Sequence, residues 1–261
     1  MRLRIKNIRS LITILSVYHD KRILGRLSFH QKSQFKIYRS FIKELGLKQK
    51  THGHFLFISQ NEDIIKQAIK YHYKENKNIS LGRLYGYPKC CIKIFSDNQE
   101  LAIGNNDLGI LLKAFENSQS NIFSIYTNWF SRHKLILHLP HSFDCGPSVK
   151  IGRQNLEILR EYDKKLFNLA VKELNACILE YKGNILALSN FILEKERVKL
   201  GLKFWLNNLP ILVNNVVLGE NLKTLSFWAN ILSSFKDGES YNVGFNNDQG
   251  IKVMVFSNNE I

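Results

Sequence analysis

Three of the four cysteines in this 261-residue chain fall in two short motifs, and each motif stands beside an expected helix start. The first reads Gly86-Tyr87-Pro88-Lys89-Cys90-Cys91-Ile92-Lys93-Ile94-Phe95, and the second His138-Leu139-Pro140-His141-Ser142-Phe143-Asp144-Cys145-Gly146-Pro147-Ser148. A helix N-terminus favours negative charge by about 0.3–1 kcal/mol, which biases a thiol there toward thiolate. Thiolate is the form that ligates metal and attacks electrophiles. Sulfur with imidazole is the ligand set of zinc, and a set richer in sulfur also suits an iron–sulfur cluster. The candidate metal ligands are therefore Cys90, Cys91, His138, His141 and Cys145. The competing reading makes the cysteines small buried hydrophobes and the histidines polar loop residues.

Spacing shapes the expectation further. On a regular helix the neighbours Cys90 and Cys91 point about 100° apart, so one is expected to face an ion and the other the core, or to serve as a free thiol. The compact run from His138 to Cys145 can supply two or three ligands from one loop. Supporting positions surround both groups. Gly86, Tyr87 and Pro88 make the turn into the first helix, where proline is tolerated because its missing N–H would go unpaired anyway. Pro140 and Ser142 shape the second loop, and Ser148 is the expected N-cap of the helix that follows.

In this order the two motifs resemble the prokaryotic family known as domain of unknown function 483. Its pattern is Gly-Tyr-Pro-x-Cys-Cys-x-x-Phe, then His-x-Pro-Cys-Ser-x-x-Cys-x-x-Ser. The resemblance is expected to cover about residues 25 to 180. This chain has His141 where the family pattern has cysteine. Imidazole can replace thiolate at zinc and at some iron–sulfur clusters, so a ligand role survives the change, but a role as redox thiol does not. The family carries no established activity, so the resemblance implies where the site is and not what it does.

The elements that must position these groups are read from hydrophobic spacing. Phe35, Tyr38, Phe41, Ile42 and Leu45 predict an amphipathic helix within Phe29 to Leu45, preceded by Ser28 and stopped by Gly46. Gly53 to Ser59 reads as a strand. Ile64 to His72 reads as a helix with Asn61 as N-cap and Glu62 and Asp63 in its first turn. Helices are further expected at Asp107 to Phe115 and from Ser148 to about Asn175, with a short buried strand at Lys134 to Leu139. Two β-hairpins are expected toward the C-terminus, one around Lys182-Gly183-Asn184 and one joining Tyr241–Phe245 to Ile251–Phe256. The fold class is α+β, helix-rich in its N-terminal and central part. It divides into a basic N-terminal segment (1–24), the domain carrying the Cys/His motifs (25–175) and a C-terminal part (176–261) expected to pack on the same core.

Composition bounds the function. With 44% hydrophobic and 23% charged residues the chain can bury a core, and four cysteines are too few for a disulfide scaffold. The net charge of +15 is concentrated in the first fifty residues, where only Asp20 and Glu44 oppose the lysines and arginines. A nucleic-acid partner is one explanation of that excess. A solvated basic face, in a chain rich in Lys, Asn and Ile, is the other, and no zinc-finger spacing, aromatic RNA-binding motif or glycine-rich phosphate loop favours the former. The apolar run Leu11–Val17 is short for a leader, and Tyr18-His19-Asp20-Lys21 is no small-residue cleavage site. No segment approaches the length of a membrane span. Cytoplasmic residence is the expectation.

Other residues carry weaker signals. His52 and His54 share a strand face and read as edge histidines, Tyr71-His72-Tyr73 as an ordinary helical run, Cys177 as core, and Trp205 and Trp228 as packing. Ser142 beside His138 or His141 lacks the Gly-x-Ser-x-Gly elbow of a hydrolase. Three classes of function follow. The first is a metal- or thiol-dependent enzyme acting on a small molecule or peptide. The second is a nucleic-acid-binding accessory protein that uses the basic N-terminal segment. The third is a non-enzymatic binding module with a structural Cys/His cluster.

Overall fold

The computed structural model describes residues 7–29, 35–72, 74, 77–99, 110, 113–114, 117–118, 122–124, 134–173, 176–181, 184–188, 191–194, 197–200, 240–242 and 252–257. Its first element, α1 (Ile8–Tyr18), is the apolar run seen near the N-terminus. Asn7 caps it, its Oδ1 accepting from the Ser10 N–H at 3.0 Å. Ile8 and every residue from Leu11 to Val17 are buried, because neighbours cover the helix on nearly all sides.

Three antiparallel strands follow: β1 (Leu24–Ser28), β2 (Lys48–His52) and β3 (Phe55–Ser59), with β3 in the centre. The register pairs Leu24 with Ser59 on one side and His52 with Phe55 on the other. Successive side chains of a strand point to opposite faces, and β3 uses both. Leu56 and Ile58 join the core that contains α1, while Phe57 joins a second core with Ile65 and Ala68. Those two residues belong to α3 (Glu62–His72), which starts as expected, with Asn61 Oδ1 accepting from the Asp63 N–H at 2.8 Å.

The helix expected from Phe29 is shorter. As α2 it runs Phe35–Glu44, and Ser28 ends β1 instead of preceding a helix. The ladder to β3 satisfies the backbone there and extends to Phe29, whose N–H donates to the His54 carbonyl.

Two short helices, α4 (Asn78–Leu84) and α5 (Lys89–Asp97), carry the first cysteine motif. They pack so closely at Gly82 that a Cβ there would lie 2.8 Å from Ile92 Cγ1. Gly86, at φ +69°, reverses the chain between them in a conformation that suits glycine. After β4 (Ile122–Ser124), the segment from Lys134 to Leu139 is not a strand as expected. It is mostly apolar and bends at Leu135 and His138, and two of its carbonyls are taken by side chains: Leu135 O accepts from Asn155 Nδ2 at 2.7 Å and Leu137 O from the Tyr87 hydroxyl at 3.4 Å.

The long helix expected to reach residue 175 is broken into α6 (Gly146–Tyr162) and α7 (Lys164–Glu173). Asp163 makes the break. Its Oδ1 accepts from the backbone N–H groups of Lys165 and Leu166, an N-cap that competes with continued helix. α1 and α6 share one core, in which Leu156 and Leu159 are buried together with Leu11 and Ile12.

Farther on, β5 (Ala176–Tyr181) pairs with β6 (Asn184–Leu188) and β10 (Lys252–Ser257), and β10 also runs parallel to β4. β7 (Phe191–Glu194), β8 (Arg197–Leu200) and β9 (Ser240–Asn242) form a third sheet. The expected hairpin between 241–245 and 251–256 is not what these strands make. β9 pairs with β8 while β10 pairs with β4 and β5, so partners distant in sequence replace the local one. The other expected hairpin includes Lys182 and Gly183, which lie outside the described residues, as do Trp205, Trp228 and most of the helix expected at 107–115.

Candidate metal centre

Pro88 is the N-cap of α5, which puts Cys90 and Cys91 in its first turn. Cys145 is the N-cap of α6, the place the sequence pointed to Ser148 for; Ser148 lies inside the first turn instead. The loop before α6 carries His141, and its backbone is tied down at two points. Asn117 Nδ2 donates to the His141 carbonyl at 3.2 Å, and the Phe143 N–H donates to Ser118 Oγ at 2.9 Å.

These elements bring four of the five candidate ligands together. Cys91 Sγ lies 3.7 Å from Cys145 Sγ, 4.0 Å from Cys90 Sγ and 3.8 Å from His141 Nδ1, and Cys90 and Cys145 are 3.9 Å apart. All four donor atoms lie within 4.8 Å of one another. The expectation that Cys90 and Cys91 would diverge is not met. Adjacent Cα atoms are only about 3.8 Å apart, so suitable rotamers can converge two sulfurs beyond the end of the helix axis. Sulfur–sulfur separations of this size are far too long for a disulfide at about 2.05 Å.

Such separations do fit ligation of one ion. With metal–sulfur bonds of about 2.3 Å and tetrahedral angles, the sulfurs around a single zinc stand about 3.8 Å apart. The group Cys90, Cys91, His141 and Cys145 could therefore hold a metal ion. Cys91 and Cys145 are buried, whereas Cys90 and His141 are partly exposed.

His138 lies outside this quartet. It is 6% exposed, and its Nε2 is 2.8 Å from Ser148 Oγ, which in turn lies 3.4 Å from Cys91 Sγ. When Cys91 is a thiolate, the chain runs His138 Nε2–H to Ser148 Oγ and Ser148 O–H to sulfur, an outer layer that orients a ligand. Burial, aided by the charge of Arg22, pushes His138 down to about 3, so its ring is neutral at physiological pH. Ser142 plays the matching part for His141. Its Oγ is 3.4 Å from His141 Nε2, leaving Nδ1 to face the sulfurs.

The thiols do not share one character. Cys145 is pulled below the usual thiol range, chiefly by the Cys91 thiol beside it and then by Ser148 at the start of α6. Cys91 is pushed up by the same contact with Cys145 and by burial, and Cys90 is raised mainly by burial. One thiolate is thus preferred while no cation is present, and a cation is what would stabilise three together.

His52 ends β2 and His54 sits in the following turn, and neither joins the quartet. The neighbourhood also holds residues the sequence did not single out. Arg22 Nε donates to the Tyr85 carbonyl at 3.1 Å, and its guanidinium lies 5.2 Å from the Tyr87 ring centre. The Tyr87 ring in turn lies 5.0 Å from that of His138. Arginines have no motif that marks them for a tyrosine sixty residues away, so only the fold reveals this contact.

Fold and site together define an α+β protein with a Cys₃His group at the junction of two helix starts. Residues 57–174 match the family described as "Protein of unknown function (DUF483)". The match begins later than the residue 25 expected from the motifs, leaving α1, β1, α2 and β2 outside it, and it contains all four grouped ligands. No curated protein and no solved structure matches the chain.

Proposed function

We propose that this chain is a zinc protein in which one ion, held by Cys90, Cys91, His141 and Cys145, locks the start of α5 to the start of α6. The observation that carries this reading is the donor geometry: four of the six separations are 3.7 to 4.0 Å, close to the edges of a single-ion tetrahedron, and all six are within 4.8 Å. In a cubane cluster each thiolate binds a different iron, which holds the sulfurs farther apart, so the spacing favours one ion over an iron–sulfur cluster. Four protein donors fill a tetrahedral zinc, and such closed sets are the structural kind. The ion's role is therefore architectural, and water activation at the metal is not part of it.

The test is elemental analysis of protein purified without added metal. About one zinc per chain is expected, with no visible absorbance, and Cys145→Ala should lose most of it. Substitution with cobalt should give the absorption bands of a tetrahedral thiolate site. Absence of stoichiometric metal, together with rapid native-state alkylation of Cys145, would sink the zinc reading in favour of a reactive-thiol site.

A further inference from the structure

Beside the metal group, and sharing Cys91 with it, lies a cavity of about 420 Å³, within the range of small-molecule sites. Its two permanently charged side chains are both arginines. Arg9 from α1, Arg26 from β1 and the imidazoles of His72 and His138 face it, and the described lining contains no carboxylate. Its apolar lining includes Tyr85, Tyr87 and Phe95.

The cationic side is held in place before any ligand arrives. The Arg26 guanidinium stacks 4.6 Å from the Phe55 ring centre and 5.5 Å from that of Tyr85, and its Nη1 donates to His72 Nδ1 at 3.3 Å. A guanidinium already held against two rings loses little side-chain freedom when an oxyanion binds. The aromatic side is ordered too. Tyr85 and Tyr87 lie 5.5 Å apart at an interplanar angle of 31°, and Tyr87 and His138 lie 5.0 Å apart at 37°, making a row of three tilted rings. Tyr85, 6% exposed, also has a buried hydroxyl that meets no hydrogen-bond geometry with a partner among the described residues, with Arg26 its charged neighbour.

We propose that this cavity binds a small planar organic anion, its ring against the Tyr85 and Tyr87 wall and its phosphate or carboxylate drawn by Arg9 and Arg26. The inference does not rest on zinc. It also gives part of the basic N-terminal region a job, since Arg9 and Arg26 come from elements outside the family match and reach the cavity from there.

Calorimetric titration of the full chain with adenosine 5′-monophosphate and with indole-3-acetate tests it, using adenosine and indole as uncharged counterparts. At least one anion should bind one-to-one, its counterpart at least ten-fold more weakly, and the preferred anion tells phosphate from carboxylate. Arg9→Gln and Arg26→Gln should each weaken that binding at least ten-fold with metal content unchanged. Should loss of the Arg26 stacking unfold the chain, Arg9→Gln decides alone. No binding of either anion at millimolar concentration, equal binding of the uncharged counterparts, or wild-type affinity in a folded arginine variant overturns the proposal. Metal content, measured on the same samples, reports on the zinc reading independently.

Discussion

At the scale of single residues, the centre is a question of how three sulfurs are kept ionised together. Zinc with three thiolates and one neutral imidazole would carry a net charge of −1, and the group that could hold it lies at two helix starts, which favour negative charge. His141→Cys restores the thiolate of the family pattern, so it should retain about one zinc per chain, whereas His141→Ala should not; elemental analysis of both decides. Ser148→Ala removes the hydroxyl between His138 and Cys91, and a zinc affinity lower by about 10- to 100-fold is expected in a chelator competition assay. His138 adds a pH dependence. Its folded value of about 3 lies below the ordinary 6.5, so the unfolded chain takes up a proton first as pH falls. The stability this contributes is complete above about pH 6.5 and is lost as pH falls toward 3. Metal-free protein should lose about 1 kcal/mol more between pH 7.5 and 5.5 than metal-free His138→Gln does, read by urea denaturation at the two pH values.

At the scale of elements, the site depends on how closely α4 and α5 approach. Gly82→Ala would place a methyl 2.8 Å from Ile92 Cγ1, next in sequence to Cys91. A loss of about 1–3 kcal/mol in urea denaturation is expected, with weaker zinc binding alongside, because α5 must shift to admit the methyl. The site was legible in the sequence because its chemistry is local: the Gly86 turn, Pro88, and the Cys145 and Ser148 pair all lie within a few residues of the groups they position. What was not legible depended on distant partners. Asp163 broke a helix whose apolar spacing continued past it, through a cap that periodicity cannot register. Leu24–Ser28 is a strand only because β3 lies beside it. The C-terminal strands likewise took partners from sequence distances that no turn signal predicts. The convergence of Cys90 and Cys91 has another source, since helical angles describe directions about an axis and say nothing of rotamers that bring two neighbouring sulfurs to 4.0 Å.

At the scale of the whole molecule, the N-terminal helix alters how the chain's charge is to be understood. α1 is among the most buried elements described, and its neighbours bring Arg22 and Arg26 onto the rings beside the centre. Among the described residues no helix is long and apolar enough to cross a membrane, and the apolar run that resembled a leader is core. Removal of zinc should be felt throughout a molecule so connected. Dialysis against a strong chelator is expected to lower the melting temperature by roughly 10 °C, followed by circular dichroism, and stoichiometric zinc should restore it. An unchanged melting temperature in demonstrably metal-free protein would contradict the architectural role.

The proposed ion, by joining Cys91 to Cys145, would also act on the unfolded chain. The two positions are 54 residues apart, and a cross-link across such a loop removes about 4 kcal/mol of chain entropy from the unfolded state if the ion acts as a disulfide would. That advantage changes slowly with loop length, since doubling a loop alters its closure free energy by only about 0.6 kcal/mol. The chain between the two helix starts can thus lengthen or shorten considerably while the same four atoms still meet around one ion.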